Sequence, residues 1–156
     1  MIVSFFGHSK FYESLVYIES VMNFLEAVIG DRKVIFYLGG YGDFDEFAYV
    51  CCKRYKEAHP NAVLVFVTPY MTLEYQNNHL KHQARKYDEI IYPDIENIPL
   101  KFAIWHRNKW MIDRSDYVVF GIIHKFGGAY KAYEYACRKR KKFLWLQISL
   151  IEEFNV

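Results

Sequence analysis

Five short runs of almost unbroken apolar, β-branched and aromatic residues limit the fold most: "IVSFF" (2–6), "KVIFYL" (33–38), "AVLVFV" (62–67), "YVVFGII" (117–123) and "FLWLQI" (143–148). Strands that are apolar at successive positions are covered on both faces. Between them the apolar residues recur at helical spacing. Leu15, Ile18, Met22, Leu25 and Ile29 form one stripe, ended by Gly30 and Asp31. Phe44, Phe47, Ala48, Cys51 and Tyr55 form a second, which makes Cys51 a packing residue. Helical period returns over 100–114 and from about Gly128 to Lys139. Strands alternating with helices predict an α/β fold: a doubly wound, mainly parallel, Rossmann-like sheet with helices on both faces. The polar stretch 68–89 has no assigned element and is a candidate lid, and "IIYPDIENIP" (90–99) is expected to be extended, since residues before proline avoid the α region.

A chain of 156 residues, 53% apolar, buries one good core and no linker divides it, so residues 1–156 are expected to form a single domain. The formal charge of +2 is too near neutral to argue by itself for nucleic acid or an anionic membrane, and "RKRKK" (138–142) ends a helix, where cations suit the C-terminal dipole, so nucleic acid is not an expected partner. Three cysteines without a CxxC pair suit a reducing, cytoplasmic compartment. No basic leader or membrane-length apolar run is evident, so neither export nor membrane insertion is expected. His79 and His82 lack a completing carboxylate or thiol and read as surface histidines; no metal or cofactor is indicated.

In doubly wound sheets ligands sit beyond the carboxyl ends of the strands. Four loops qualify: "GHSKF" with Gly7 and His8, "GGYGDFD" with Gly39, Gly40, Gly42, Asp43 and Asp45, "TPYMT" with Thr68, and "HKFGG" with Gly127 and Gly128. Three glycines before a helix leave backbone N–H groups free to face an anion at the positive end of the helix dipole. The plainer alternative is a tight turn, with Asp43 as N-cap and Glu46 three residues on. The loop is neither a Walker loop nor a GxGxxG, and Asp43 and Asp45 suit ribose hydroxyls better than phosphate. His8, at the end of the first strand, suits either a phosphate or a base. Arg107 and Asn108 are polar residues amid Phe102, Ile104, Trp105, Trp110 and Met111. Arg107 offers a bidentate fork for phosphate, against the plainer role of pairing with a surface acid.

The order "FGH", "GGYGDFDEFA", "RNKWMIDRSDYVV", "GGAYKAYEYA" resembles the SLOG superfamily, which joins the LOG nucleotide phosphoribohydrolases to DNA-processing and nucleotide-sensing Rossmann-like domains. The similarity spans about Val3 to Leu146. LOG enzymes carry Arg-Lys-x-x-Met and then Pro-Gly-Gly-x-Gly-Thr-x-x-Glu. Arg107 and Met111 match the first motif, with Asn108 in place of its Lys; Gly127, Gly128 and Glu134 match the second. Phe126, Tyr130 and Lys131 replace its proline, third glycine and threonine.

The resemblance implies three functions. The first is a module binding a nucleotide or nucleotide-derived small molecule in the crevice. The second is a LOG-like hydrolase cleaving the N-glycosidic bond of a nucleoside monophosphate, with Arg107 and Glu134 as catalytic residues. Glu134 lies opposite the apolar stripe of its own helix, so it is either part of a site shared across a homodimer or a plain surface glutamate. The third is a single-stranded nucleic-acid binder with "RKRKK" (138–142) as its footprint.

Overall fold

The structure, a computed structural model, describes residues 1–146. The five apolar runs become β1 (Ile2–Gly7), β2 (Ile35–Leu38), β3 (Val63–Val67), β5 (Tyr117–Gly121) and β6 (Lys142–Trp145). A sixth strand, β4 (Glu89–Ile91), opens the segment expected to be extended. The part of the last run at 147–148 lies outside the described residues. Every neighbouring pair is parallel, in the order β4-β3-β2-β1-β5-β6.

The helices are α1 (Leu15–Ile29), α2 (Gly42–Ala58), α5 (Ala103–Arg114) and α6 (Gly127–Arg138). The polar stretch after β3 is an interrupted helix: α3 (Leu73–Tyr75), a π-helical turn over Gln76–Leu80, and α4 (Lys81–Lys86). It is tied down, since Leu80 and the following Tyr87 are buried in the core. Successive residues of the strands point to opposite faces. Val3 and Phe5 therefore join α1 and α2 in one core, and Phe6 joins α5 and α6 in the other. Two-sided burial is why the strands are apolar throughout. No helix among the described residues is long and apolar enough to cross a membrane.

The chain lays down β1 to β4 in one direction and then crosses to β5 on the other side of β1. The order reverses between β1 and β5, and loops leaving those two strands diverge there into a crevice. Packing beneath it is close. A Cβ on Gly7 would stand 2.0 Å, and one on Gly121 2.3 Å, from the Phe44 ring of α2. Only bare backbone at both strand ends admits that ring.

Candidate functional site

The crevice has two lobes that share Gly7, Ser9, Gly128 and Ala129. The inner lobe, of about 180 Å³, is closed by Gly39, Tyr41, Asp45, Arg107 and Asn108. The outer lobe, of about 360 Å³, is walled by His8, Lys10, His124 and Phe126. Together they make one continuous trough.

Arg107 lies on the buried face of α5 at 4% exposure, so it does not pair with a surface acid. Its Nη1 donates to the carbonyls of Val67 (2.7 Å) and Gly39 (3.2 Å), which ties the ends of β2 and β3 together. Its Nε donates to Asn108 Oδ1 at 3.0 Å. Nη2 donates to no acceptor among the described residues, and it lies beside Gly39, opposite the Asp45 carboxylate. Burial pushes the Asp45 carboxyl up to about 7, against the pull of the Tyr41 N–H and of Arg107. A buried cation whose nearest carboxylate resists ionisation is under-compensated, and an anion reaching Nη2 would complete it.

The glycine loop before α2 is occupied by the protein itself. Asp43 N donates to Ser9 O at 2.7 Å, and Tyr41 N donates to Asp45 Oδ2 at 2.7 Å. Asp43 sits inside the helix rather than capping it; Tyr41 is the N-cap, and the Asp43 side chain accepts from Phe11 N at 3.3 Å. Gly40 and Gly42 have φ of +70° and +81°, and their α-carbons face the Phe66 ring and the Ser9 backbone. These glycines serve the turn, while Gly39 and Asp45 line the inner lobe. Thr68 is buried in its own turn, donating to Tyr70 O and accepting from Tyr70 N.

The start of α6 is different. Its N-cap, Phe126, supplies no side-chain cap, and a Cβ on Gly127 or Gly128 would meet nothing within 4 Å. The first-turn N–H groups of a twelve-residue helix thus stand open to the trough. Beside them Phe126, 68% exposed, stacks on His124 at 3.7 Å between centroids, and His124 packs on His8 at 3.7 Å. His8 fixes this stack: its Nδ1 accepts from Ile123 N (3.0 Å) while Nε2 donates to Phe126 O (3.1 Å). That pattern requires the neutral ring, and burial lowers its pKa accordingly.

The structure therefore brings Gly7, His8, Gly39, Asp45, Arg107, Asn108, Gly127 and Gly128 to one trough. Glu134 is exposed on α6 and lines neither lobe. His79 stacks on Tyr41 and His82 points to solvent. Lys10, His124, Phe126 and Tyr41 are members of the trough that the sequence motifs did not single out. The readable signal was "HKFGG", an aromatic residue just behind a lysine and directly before a glycine pair that opens a helix.

No protein-family model matches the sequence, and no curated protein does. Solved structures share the fold. DNA processing protein A of Helicobacter pylori, described for its single-stranded DNA binding mode, superposes with a TM-score of 0.63 at 18% identity, over 97% of this chain and 67% of its own. DNA processing protein A of Streptococcus pneumoniae also gives 0.63, at 15% identity over 96% of this chain and 51% of its own. The chain thus spans about half the length of the pneumococcal protein. These likenesses show the Rossmann-like fold, and they overturn one expectation. Near-neutral charge and a basic run explained by a helix end left nucleic acid an unexpected partner, yet the fold neighbours are DNA processing proteins, one of them a single-strand binder. A charge of +2 is an average, and it conceals where the lysines and arginines stand.

Proposed function

We propose that this chain is a SLOG-type domain that binds single-stranded nucleic acid along the trough. One observation carries the reading: an exposed aromatic stack, Phe126 on His124, stands directly at the open N-terminus of α6 and leads into the lobe that holds the unpartnered Nη2 of Arg107. An aromatic face stacks on any base, and helix N–H groups with a cation take the adjoining phosphate. The neighbours' fold supports the same partner class.

In this arrangement Phe126 holds a base, the N–H groups of Gly127 and Gly128 hold a phosphate, and Arg107 reaches a second anionic oxygen from beneath. Lys10, exposed on the wall of the outer lobe, adds charge there. Truncating Phe126 to alanine removes a stacking face worth about 1–3 kcal/mol per base. Fluorescence anisotropy with a labelled oligothymidylate should show roughly a five- to hundredfold weaker Kd for Phe126→Ala. Unchanged affinity in that variant would refute the reading.

A nucleotide-derived small molecule is the second reading, and the buried Arg107 with its free Nη2 favours it. The inner lobe alone is below the ~300–1,000 Å³ of ordinary ligand sites, so it accommodates a phosphate rather than a whole nucleotide. Adenosine monophosphate displacing the labelled strand at micromolar concentration would favour this second reading. For a hydrolase, Glu134 would have to come from a second copy of the chain, since within one chain it stands outside the trough.

A further inference from the structure

The run "RKRKK" does not reach the trough. Arg138 ends α6 and Lys142 opens β6, so the run lies at the amino ends of the strands, the opposite end of the sheet from the crevice. With about 3.3 Å per residue, the five residues of β5 put roughly 17 Å between the two ends. There Arg32, Asp116, Tyr117, Arg140, Lys141 and Lys142 line an open cleft of about 530 Å³.

Its charge is one-sided. Four cations face a single carboxylate, Asp116, whose Oδ2 already accepts from Ile2 N at 2.8 Å. Among the described residues Arg32, Arg140, Lys141 and Lys142 form no ion pair. Lys141 donates only to the carbonyls of Asp113 and Ser115, and Arg32 only to those of Val28 and Ile29. The helix dipole explains Arg138 and Lys139 in and just after the last turn of α6. It does not explain the residues past the helix end.

Arg140 is the sharpest of these. Its φ is +54°, and it is the one non-glycine residue with positive φ among those described. Arg140 N donates to Cys137 O and Lys141 N to Ala136 O, so Arg140 occupies the left-handed position of a Schellman cap. Glycine takes that position without strain, and an L-residue does not. The chain places a strained arginine where glycine would fold better, at the rim of a cationic cleft.

We infer that this cleft is a second binding site, for the phosphodiester backbone of a nucleic-acid strand, separate from the trough and reading no bases. It goes beyond the trough reading and does not depend on it. Several cations spread along an open cleft suit a repeating anion, whose counterions they release.

The test uses Arg140→Gly, which should raise the melting temperature because the cap is relieved. Anisotropy with a labelled twenty-nucleotide oligothymidylate, from 50 to 300 mM KCl, should show several-fold weaker binding despite the stabler fold. The slope of log K against log salt should shrink by about 0.7, the share of one phosphate contact on a single strand. Arg140→Gly combined with Lys142→Ala should shrink it by about 1.4. Unchanged affinity and slope in both variants would overturn the inference. The two sites fail separately: loss of binding in the cleft variants with none in Phe126→Ala refutes the trough alone, and the reverse refutes the cleft alone. Calorimetry with inorganic tripolyphosphate gives the other arm. Tight binding that Arg140→Gly abolishes, with the strand's salt slope unaltered, would make the cleft a small-anion site and overturn the nucleic-acid assignment.

Discussion

Gly42→Ala and Gly128→Ala should behave oppositely, and the structure says by how much. At Gly42 the φ of +81° makes alanine strained, and its Cβ would stand 2.7 Å from Ser9 Cα and 3.1 Å from Ser9 O. Left-handed backbone costs an L-residue about 1–2 kcal/mol. Backbone atoms give way poorly, so relief would stretch the Asp43 N to Ser9 O bond, worth about 0.5–1.5 kcal/mol. The sum is about 2–3 kcal/mol, which in a domain of this size lowers Tm by roughly 5–10 °C. Gly128 lies in the first turn of α6 with nothing within 4 Å of its missing Cβ. Alanine there should leave Tm unchanged or raise it, since glycine in a helix is worse than alanine by about 0.5–1 kcal/mol. The added methyl would nevertheless crowd a phosphate approaching the helix N–H groups. Losing one hydrogen bond to a charged oxygen costs about 1.5–3 kcal/mol, or roughly ten- to hundredfold in Kd. Differential scanning fluorimetry and anisotropy on the same samples read both effects, with affinity corrected for folded fraction. If Gly42→Ala kept its Tm and lost affinity while Gly128→Ala bound normally, the ligand would lie on the loop before α2 and the assignment of the two glycine loops would be reversed.

Arg107→Met should lose both binding and stability, because it strips the Val67 and Gly39 carbonyls of a shared donor; urea denaturation should register at least about 2–3 kcal/mol, and an undiminished midpoint would show the network to be dispensable. His8 is held neutral with its pKa lowered by burial, so the unfolded chain takes up a proton more readily. Stability carried by His8 is complete above the unfolded value near 6.5 and is lost as pH falls below it. Thermal melts at pH 7.5 and 5.5 should show a drop that His8→Gln reduces; an equal drop in the variant would place the effect elsewhere, with His79, also lowered by burial, the next group to replace. For Asp45, with its carboxyl pushed up to about 7, the sign is opposite: its contribution to stability is complete below the unfolded value and lost as pH rises towards 7. The charge it then acquires beside Arg107 competes with phosphate. Affinity should therefore fall between pH 6 and 8 in the wild type and stay level in Asp45→Asn; parallel pH profiles would exclude Asp45 as the cause.

The strands were legible because two-sided burial writes itself as continuous apolar sequence, as in "AVLVFV". β4 was less so: three residues, Glu89–Ile91, are made a strand by pairing with Val65–Val67, a contact that local sequence does not announce. Gly40 and Gly42 were recognisable as special, yet sequence could not tell whether their loop faces a ligand or Ser9, which arrives from over thirty residues earlier in the chain. Arg107 stood out as polar among aromatics, but its acceptors, Gly39 and Val67, come from distant strand ends. Phe126 was passed over for the opposite reason. Set against a proline in a family motif it counts as a departure, whereas in three dimensions it is the exposed face of an aromatic stack.

A single strand lying in the trough between β1 and β5 would set a base against Phe126. Photocrosslinking tests it most directly: a 5-iodouracil oligonucleotide is irradiated with the full chain at moderate salt, and the adduct is located by peptide mass spectrometry. Adducts should fall within His124–Gly128 and be lost in Phe126→Ala. Adducts only on 138–142 or on the loop 39–45, with none at Phe126, would contradict it.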